Sequence, residues 1–281
     1  MSEIPPIRRA FATLIALPDD AIDLGQAALL IARQEYPDLE VGAYLARLDD
    51  MAGAIRSRLR GGEGFTSLIA HLNRFLFEEM GFRGNQMDYN DPRNSFLNDV
   101  LDRRVGIPIS LSTVYLEVAK RIDCPLAGVA FPGHFLVRYV GQGAPVEVLI
   151  DPFNRGVILT EEECRRRLEQ MYGGRIPYRP EFLKRARNRE ILERMLNNLK
   201  AIYESQRDYH RALRIQELIL CIHPGNPFLM RDRGLLHHRM ALLEQAARDL
   251  EAYVEAVPEA HDIGVIRERL AELQRLAPRM N

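Results

Sequence analysis

Three residues have the types and the order needed for nucleophilic chemistry: Ser110, His134 and Asp151, separated by 24 and 17 residues. A hydroxyl nucleophile needs a base, and an imidazole base needs a carboxylate to orient it. Ser110 stands where an apolar helical run begins after Gly106-Ile107-Pro108. His134 opens the alternating run F-L-V-R-Y, and Asp151 closes V-E-V-L-I. A helix start favours negative charge through its dipole and free N–H groups. A serine hydroxyl still requires an aligned base and an oxyanion hole. Serine at such a place also serves as a helix-capping residue, and both readings of Ser110 stand. A His134–Asp151 contact could bind a ligand or simply hold a sheet together. Asn94, Asn98 and Arg104 could border the same pocket, although capping and turn bonding are the plainer roles for the two asparagines.

The elements that must position these groups follow from periodicity. Residues 1–80 read as helices. One begins at Pro18-Asp19-Asp20 and carries Ile22, Ala27, Leu30 and Ile31 to Tyr36-Pro37. A second spans 39–59 and breaks at Gly61-Gly62. A third carries Leu68, Leu72, Phe75, Leu76 and Met80 to Gly81. Turn formers crowd residues 82–102, and a short helix over 96–103 is expected, capped by Asn94 or Ser95. Pro108 suits the first turn of the next helix, whose apolar face is Leu111, Val114, Tyr115, Val118 and Ile122. The period then changes to that of strands over 126–131, 134–140 and 146–150, with turns at 132–133 and 141–145. Thr160 and Glu163 make a capping box for a further helix. Residues 172–180, rich in Gly and Pro, read as a linker. A helix on an antiparallel sheet makes this an α+β core.

The last third is helical and repeats with a 34-residue period. Pro224 recurs at Pro258, Ala212 at Ala246, and Lys200 corresponds to Gly234. That period is the tetratricopeptide repeat's. The units run about 193–226 and 227–260, with a capping helix over 262–276. Lys200 departs from the motif, which prefers a small residue there. Leu196 and Met230 stand where an early aromatic is usual. Such a repeat either offers a peptide groove or acts only as a packing module.

Composition narrows the classes. The net charge is −1, so no global field favours nucleic acid. Arg165-Arg166-Arg167 is answered by Glu161, Glu162 and Glu163, which reads as a solvated helix face. Cys124, Cys164 and Cys221 are odd in number and far apart, so neither a disulfide framework nor a zinc site is expected. No metal or cofactor is expected. His237 and His238, being adjacent, face different directions on a helix. The N-terminus lacks the shape of a signal peptide, and no apolar run approaches a membrane span. A cytoplasmic protein is expected.

The run Y-N-D-P-R-N-S-F-L-N-D-V-L-D-R-R-V-G-I-P-I-S-L-S, followed by F-P-G-H-F-L-V-R and I-D-P-F, resembles the bacterial SirB-type family of the transglutaminase-like superfamily. The same core occurs in some eukaryotic F-box proteins. The superfamily pattern is a cysteine at the start of a core helix, a strand opening with His and an aromatic, and a strand ending in Asp-Pro. His134-Phe135 and Asp151-Pro152 match, whereas Ile109 or Ser110 stands at the cysteine's place. The resemblance implies an α+β transglutaminase-like (papain-like) core with a helical N-terminal region over 1–180, then an all-α tetratricopeptide-like repeat over 181–281. It carries an association with regulation of bacterial invasion genes and no established reaction. The expected function is a protein-binding, regulatory protein without the nucleophilic cysteine, capturing a protein or peptide through residues 193–276. The alternative is a hydrolase or acyltransferase using Ser110, His134 and Asp151.

Overall fold

The computed structural model describes residues 5–142 and 148–276. The expected turn over 141–145 and the first half of the expected strand over 146–150 fall largely outside the described residues. In chain order the helices are α1 (Pro6–Ile15), α2 (Leu24–Ala32), α3 (Val41–Arg56), α4 (Phe65–Asn73), α5 (Leu97–Arg103), α6 (Pro108–Arg121), α7 (Glu161–Tyr172), α8 (Asn188–Ser205), α9 (Tyr209–Ile222), α10 (Pro227–Arg239), α11 (Leu243–Ala256) and α12 (Ile263–Leu276). The strands are β1 (Arg83–Gly84), β2 (Val105–Gly106), β3 (Leu126–Val129), β4 (Leu136–Tyr139), β5 (Leu149–Asp151) and β6 (Val157–Leu159). The chain forms two compact units. One is Leu17–Met195, and the other joins the described residues of the first sixteen to those from Leu196 onward.

The first unit is α+β, as expected. Its axis is α6, in which every residue from Pro108 to Ala119 is buried. Helices α2, α3, α4 and α5 pack on it, as do strands β3 and β4. The helix around which these elements close is therefore enclosed on all sides over these residues, its polar Ser110, Ser112, Thr113 and Glu117 included. The four strands form an antiparallel meander in the order β3-β4-β5-β6. The register pairs Val129 with Leu136, Val137 with Ile150, and Ile150 with Ile158. Beneath one face lies a cluster of Val129, Phe131, Leu136, Leu149, Leu159, Cys164, Leu168 and Leu183.

Several local expectations change. The helix expected from Pro18 is a short 3₁₀ turn over Asp19–Ala21 followed by α2, because Asp23 accepts the Gln26 N–H at 2.8 Å and starts the helix afresh. The stripe ending at Met80 is α4 continued by a π-helical turn over Arg74–Glu79. Neither Asn94 nor Ser95 caps α5. Its N-cap is Phe96, without a side-chain bond. The stretch 172–180 is no linker, because Tyr172, Ile176 and Tyr178 pack against the cluster under the sheet. The Thr160–Glu163 capping box on α7 is present in both directions.

The second unit contains the repeat. Helices α9 and α11 begin and end one 34-residue period apart. The period extends to the turns before them: Arg207 and Ala241 hold φ of 58° and 57°, the left-handed conformation. The following N–H groups bond back alike, Asp208 to Tyr203 at 2.8 Å and Leu242 to His237 at 2.9 Å. Ala212 and Ala246 are wholly buried, as close helix approach requires. The core of the second repeat and its cap is Ala246, Leu250, Tyr253, Ile266 and Leu273. Lys200, in place of a small residue, bonds Gln216 Oε1 at 2.8 Å and Asp232 Oδ2 at 3.2 Å. The N-terminal helix departs from its expected place in the core. Phe11 and Ile15 of α1 are buried, α1 packs on α9, and Arg8 pairs with Glu217, so it belongs to the repeat unit.

Gly234 tests the tightness of the repeat. A methyl there would lie 2.9 Å from Leu250 Cδ2 and 3.1 Å from Asp249 Cβ. Gly→Ala inside a helix normally gains about 1 kcal/mol. Here the crowding reverses the sign, and Gly234→Ala is expected to cost about 1–3 kcal/mol in urea denaturation.

Candidate functional site around His134 and Asp151

Antiparallel pairing of β4 with β5 places the end of β5 beside the start of β4, which brings Asp151 to His134. The imidazole Nε2 lies 2.9 Å from Asp151 Oδ1. His134 precedes β4 and sits in a turn: its N–H bonds Phe131 O at 3.1 Å, and Gly133 takes a φ of 69° that favours glycine. Asp151 has no exposed side-chain surface. It also accepts the Asn154 Nδ2 at 2.7 Å and N–H at 3.3 Å, and it pairs with Arg167 Nη1 of α7 at 2.7 Å. Burial alone would raise the pKa of this carboxyl. The His134 and Asn154 hydrogen bonds and the Arg167 guanidinium outweigh burial and hold it below the ordinary value.

The loop after Asp151 is fixed from α4 and α6. Tyr115 donates to Asn73 Oδ1 at 2.9 Å, and Asn73 Nδ2 donates to Gly156 O at 2.9 Å. Phe153 on this loop meets the His134 ring edge-on at 5.9 Å between centroids, and Tyr89 at 6.4 Å. Behind it is a pocket of about 320 Å³ lined mainly by Phe131, Leu136, Phe153, Leu159, Cys164 and Met171, with His134, Asn154, Arg167 and Gln170 as its polar groups.

The structure brings together His134 and Asp151 and keeps Ser110 otherwise engaged. Ser110 is the third residue of α6, wholly buried. Its hydroxyl lies 2.5 Å from Asn94 O as donor and accepts the Ile107 N–H at 3.1 Å. That is half of a capping box, satisfying a helix-start N–H. Gly106 closes the space beside it: a Cβ there would sit 2.7 Å from Ser110 Oγ. Among the described residues no hydrogen bond joins Ser110 to His134. Asn94 bonds in its turn, donating to Asp88 O at 2.7 Å and accepting from Asn85 at 3.1 Å. Asn98 lies inside α5 with its Oδ1 buried and unpartnered, so it caps nothing. Arg104 ends α5 in the left-handed conformation and donates to Met80 O at 2.9 Å. None of these three lines the pocket.

Of the thiols, Cys124 is buried beyond α6 and pushed up to about 11 by that burial. Cys221 of the repeat unit is also raised, chiefly by burial. Cys164 lies on the buried face of α7 and contributes to the pocket wall. The clearest omission from the sequence reading is Arg167. Arg165 pairs with Glu161 at 3.3 Å as a solvated face would, but Arg167 turns inward to Asp151. Helical phase holds the signal: Cys164, Leu168 and Met171 mark the inner face, and Arg167 lies on its border. Among the described residues no group of three His, Cys, Asp or Glu side chains could hold a metal, and no helix is long and apolar enough to cross a membrane.

Comparison with known proteins matches the chain in two stretches. Residues 42–197 match the transglutaminase-like superfamily, and residues 199–271 match the tetratricopeptide repeat. A UPF0162 protein of Xylella fastidiosa is 39% identical over 265 residues, 93% of each chain. Protein SirB1 of Salmonella typhimurium is 31% identical over 228 residues, 81% of this chain and 82% of its own. Human F-box only protein 21 is 27% identical over 261 residues, covering 80% of this chain and 40% of that protein.

The buried carboxylate makes stability depend on pH. Because its folded pKa is depressed, its contribution is complete above the ordinary aspartate value of 3.8 and disappears as pH falls through the lower folded value. Asp151→Asn is expected to cost about 1–3 kcal/mol at neutral pH. In urea titrations across pH, the variant should show a shallower loss below 3.8 than the parent protein.

Proposed function

The chain belongs to the transglutaminase-like superfamily, in its SirB-type branch, and we propose that it works there as a protein-binding, regulatory protein whose core has no nucleophile at the start of its central helix. One observation carries this reading: the hydroxyl of Ser110, which with Ile109 is one of the two candidates for the family's cysteine place, is committed to Asn94 O and the Ile107 N–H and has no exposed surface. A nucleophile bonded in this way has neither a base nor an approach for substrate. Three cysteines, none of them in a disulfide, are consistent with residence in a reducing cytoplasm.

Binding falls to the repeats, which in other proteins commonly present helical grooves to peptides. Here a groove of about 350 Å³ is lined by Lys200, Glu204, Tyr209, Asp232, Leu235, Leu236 and Arg239. The Arg239 guanidinium lies over the Tyr209 ring, 5.9 Å from its centroid. Charges of both signs around apolar side chains suit a peptide rather than a small apolar ligand.

Two measurements on the full-length protein test the proposal. A fluorophosphonate probe is expected to leave Ser110 unmodified under conditions that fully label a serine hydrolase, as read by intact mass. An adduct on Ser110 that disappears in Ser110→Ala would overturn it. That same substitution removes the partner of the Ile107 N–H, so it is expected to lower stability by about 1–3 kcal/mol. In-cell cross-linking should join a protein partner to residues 193–276, and cross-links confined to the core would sink the binding role of the repeats.

A further inference from the structure

Arg194 is a part-buried charge of the core unit with no carboxylate beside it among the described residues. Its Nη1 donates to Phe131 O at 3.0 Å, and its guanidinium lies over the Phe135 ring, 5.6 Å from the centroid. No carboxylate stands within ion-pair distance of it among the described residues. Three other arginines of this unit are paired with carboxylates: Arg167 with Asp151, Arg121 with Glu117 and Asp49, and Arg103 with Asp91. Burial pulls the Arg194 pKa down, and the Tyr89 and Tyr172 hydroxyls offset part of that effect. A guanidinium withdrawn from water without a counter-charge is costly unless something else supplies one.

The surroundings define what that could be. The Phe131 bond orients the guanidinium and leaves Nε and Nη2 with no protein acceptor among the described residues, so one edge of the fork is free. Tyr172 stands against the turn that carries His134, since a Cβ on Gly133 would lie 2.6 Å from its hydroxyl. Tyr89, nearly half exposed, meets Phe153 edge-on, and Phe153 continues to His134. The free edge therefore neighbours an aromatic surface. A single planar cation matches a monoanion, and the fork geometry matches a carboxylate.

We propose that Arg194, with Tyr89 and Tyr172 beside it, forms a carboxylate-binding site next to the His134 turn, taking a carboxylate attached to an apolar group. This site is in the core and independent of the peptide groove assigned to the repeats. The carboxylate could belong to a free small acid or to a peptide C-terminus, which share the chemistry recognised here.

Calorimetry on the full-length protein separates the outcomes. The probes are 3-phenylpropanoate against 3-phenylpropanamide, and acetyl-Gly-Gly-Phe with a free against an amidated C-terminus. At least one free carboxylate is expected to bind saturably below about 10 mM, with its amide and the Arg194→Met variant each about tenfold weaker or more. Binding by the small acid alone identifies that source, and binding by the peptide identifies the other. Should Arg194→Met fail to fold, phenylglyoxal modification of Arg194 in the unaltered protein, read by mass spectrometry, replaces it. The carboxylate that binds should slow the modification and its amide should not. Equal binding of acid and amide, unchanged binding by Arg194→Met, or no saturable binding by either acid would overturn the proposal.

Discussion

A carboxylate with no exposed surface has to be compensated from within, and the Asp151 side chain meets that demand by drawing four parts of the core unit to one point. It ends β5, starts the 3₁₀ turn over Pro152–Asn154, orients His134 ahead of β4 and ties down Arg167 of α7. Removing any one partner leaves the others to neutralise the charge, so the arrangement is mutually dependent in the way buried ionic networks are. The same contacts that could orient a catalytic imidazole also hold the sheet to its covering helix. A fold can keep such a pair for the second reason alone.

The central helix shows a complementary constraint. Once α6 is enclosed from Pro108 to Ala119, its polar side chains must find partners inside. Ser110 does so through the Asn94 carbonyl and the Ile107 N–H, and Thr113 through Ile109 O at 2.9 Å. A chain whose residues 42–197 match the superfamily thus holds a His134–Asp151 contact beside its sheet while Ser110, at the helix start, bonds backbone. A shared framework does not by itself fix chemistry, because function resides in a few side chains carried on it.

Much of this could be read from the chain, and the exceptions have physical causes. Helical stripes, the change to period two after Cys124, the capping box at Thr160 and the 34-residue repeat all depend on neighbours in sequence, and all are found. The His134–Asp151 contact was legible because His134 lies just before one strand, Asp151 ends the next, and consecutive antiparallel strands must meet. Arg167 was hidden because its Glu-rich surroundings are genuinely those of a solvated face. Its place on the border of the inner face of α7, from which its side chain reaches Asp151, distinguishes it from Arg165. Ser110 was undecidable because a serine early in a helix serves capping and nucleophilic roles with the same local signature. Tyr172, Ile176 and Tyr178 looked like linker residues because glycine and proline dominate their stretch, although their rings and branches are drawn into the core.

The pairing of α1 with α9 has a consequence for biosynthesis. Helix α1 leaves the ribosome ahead of the core unit and belongs with a helix made about 200 residues later, after that unit has emerged. At ordinary elongation rates of about 5–20 residues per second, that separation is roughly 10–40 s. During this interval Phe11 and Ile15 have no native cover, since the helix they pack against does not yet exist. The repeat unit is consequently built from segments on both sides of the core unit in sequence. A proteolytic fragment beginning at α8 would lack its amino-terminal helix, however cleanly the cut fell between repeat and core.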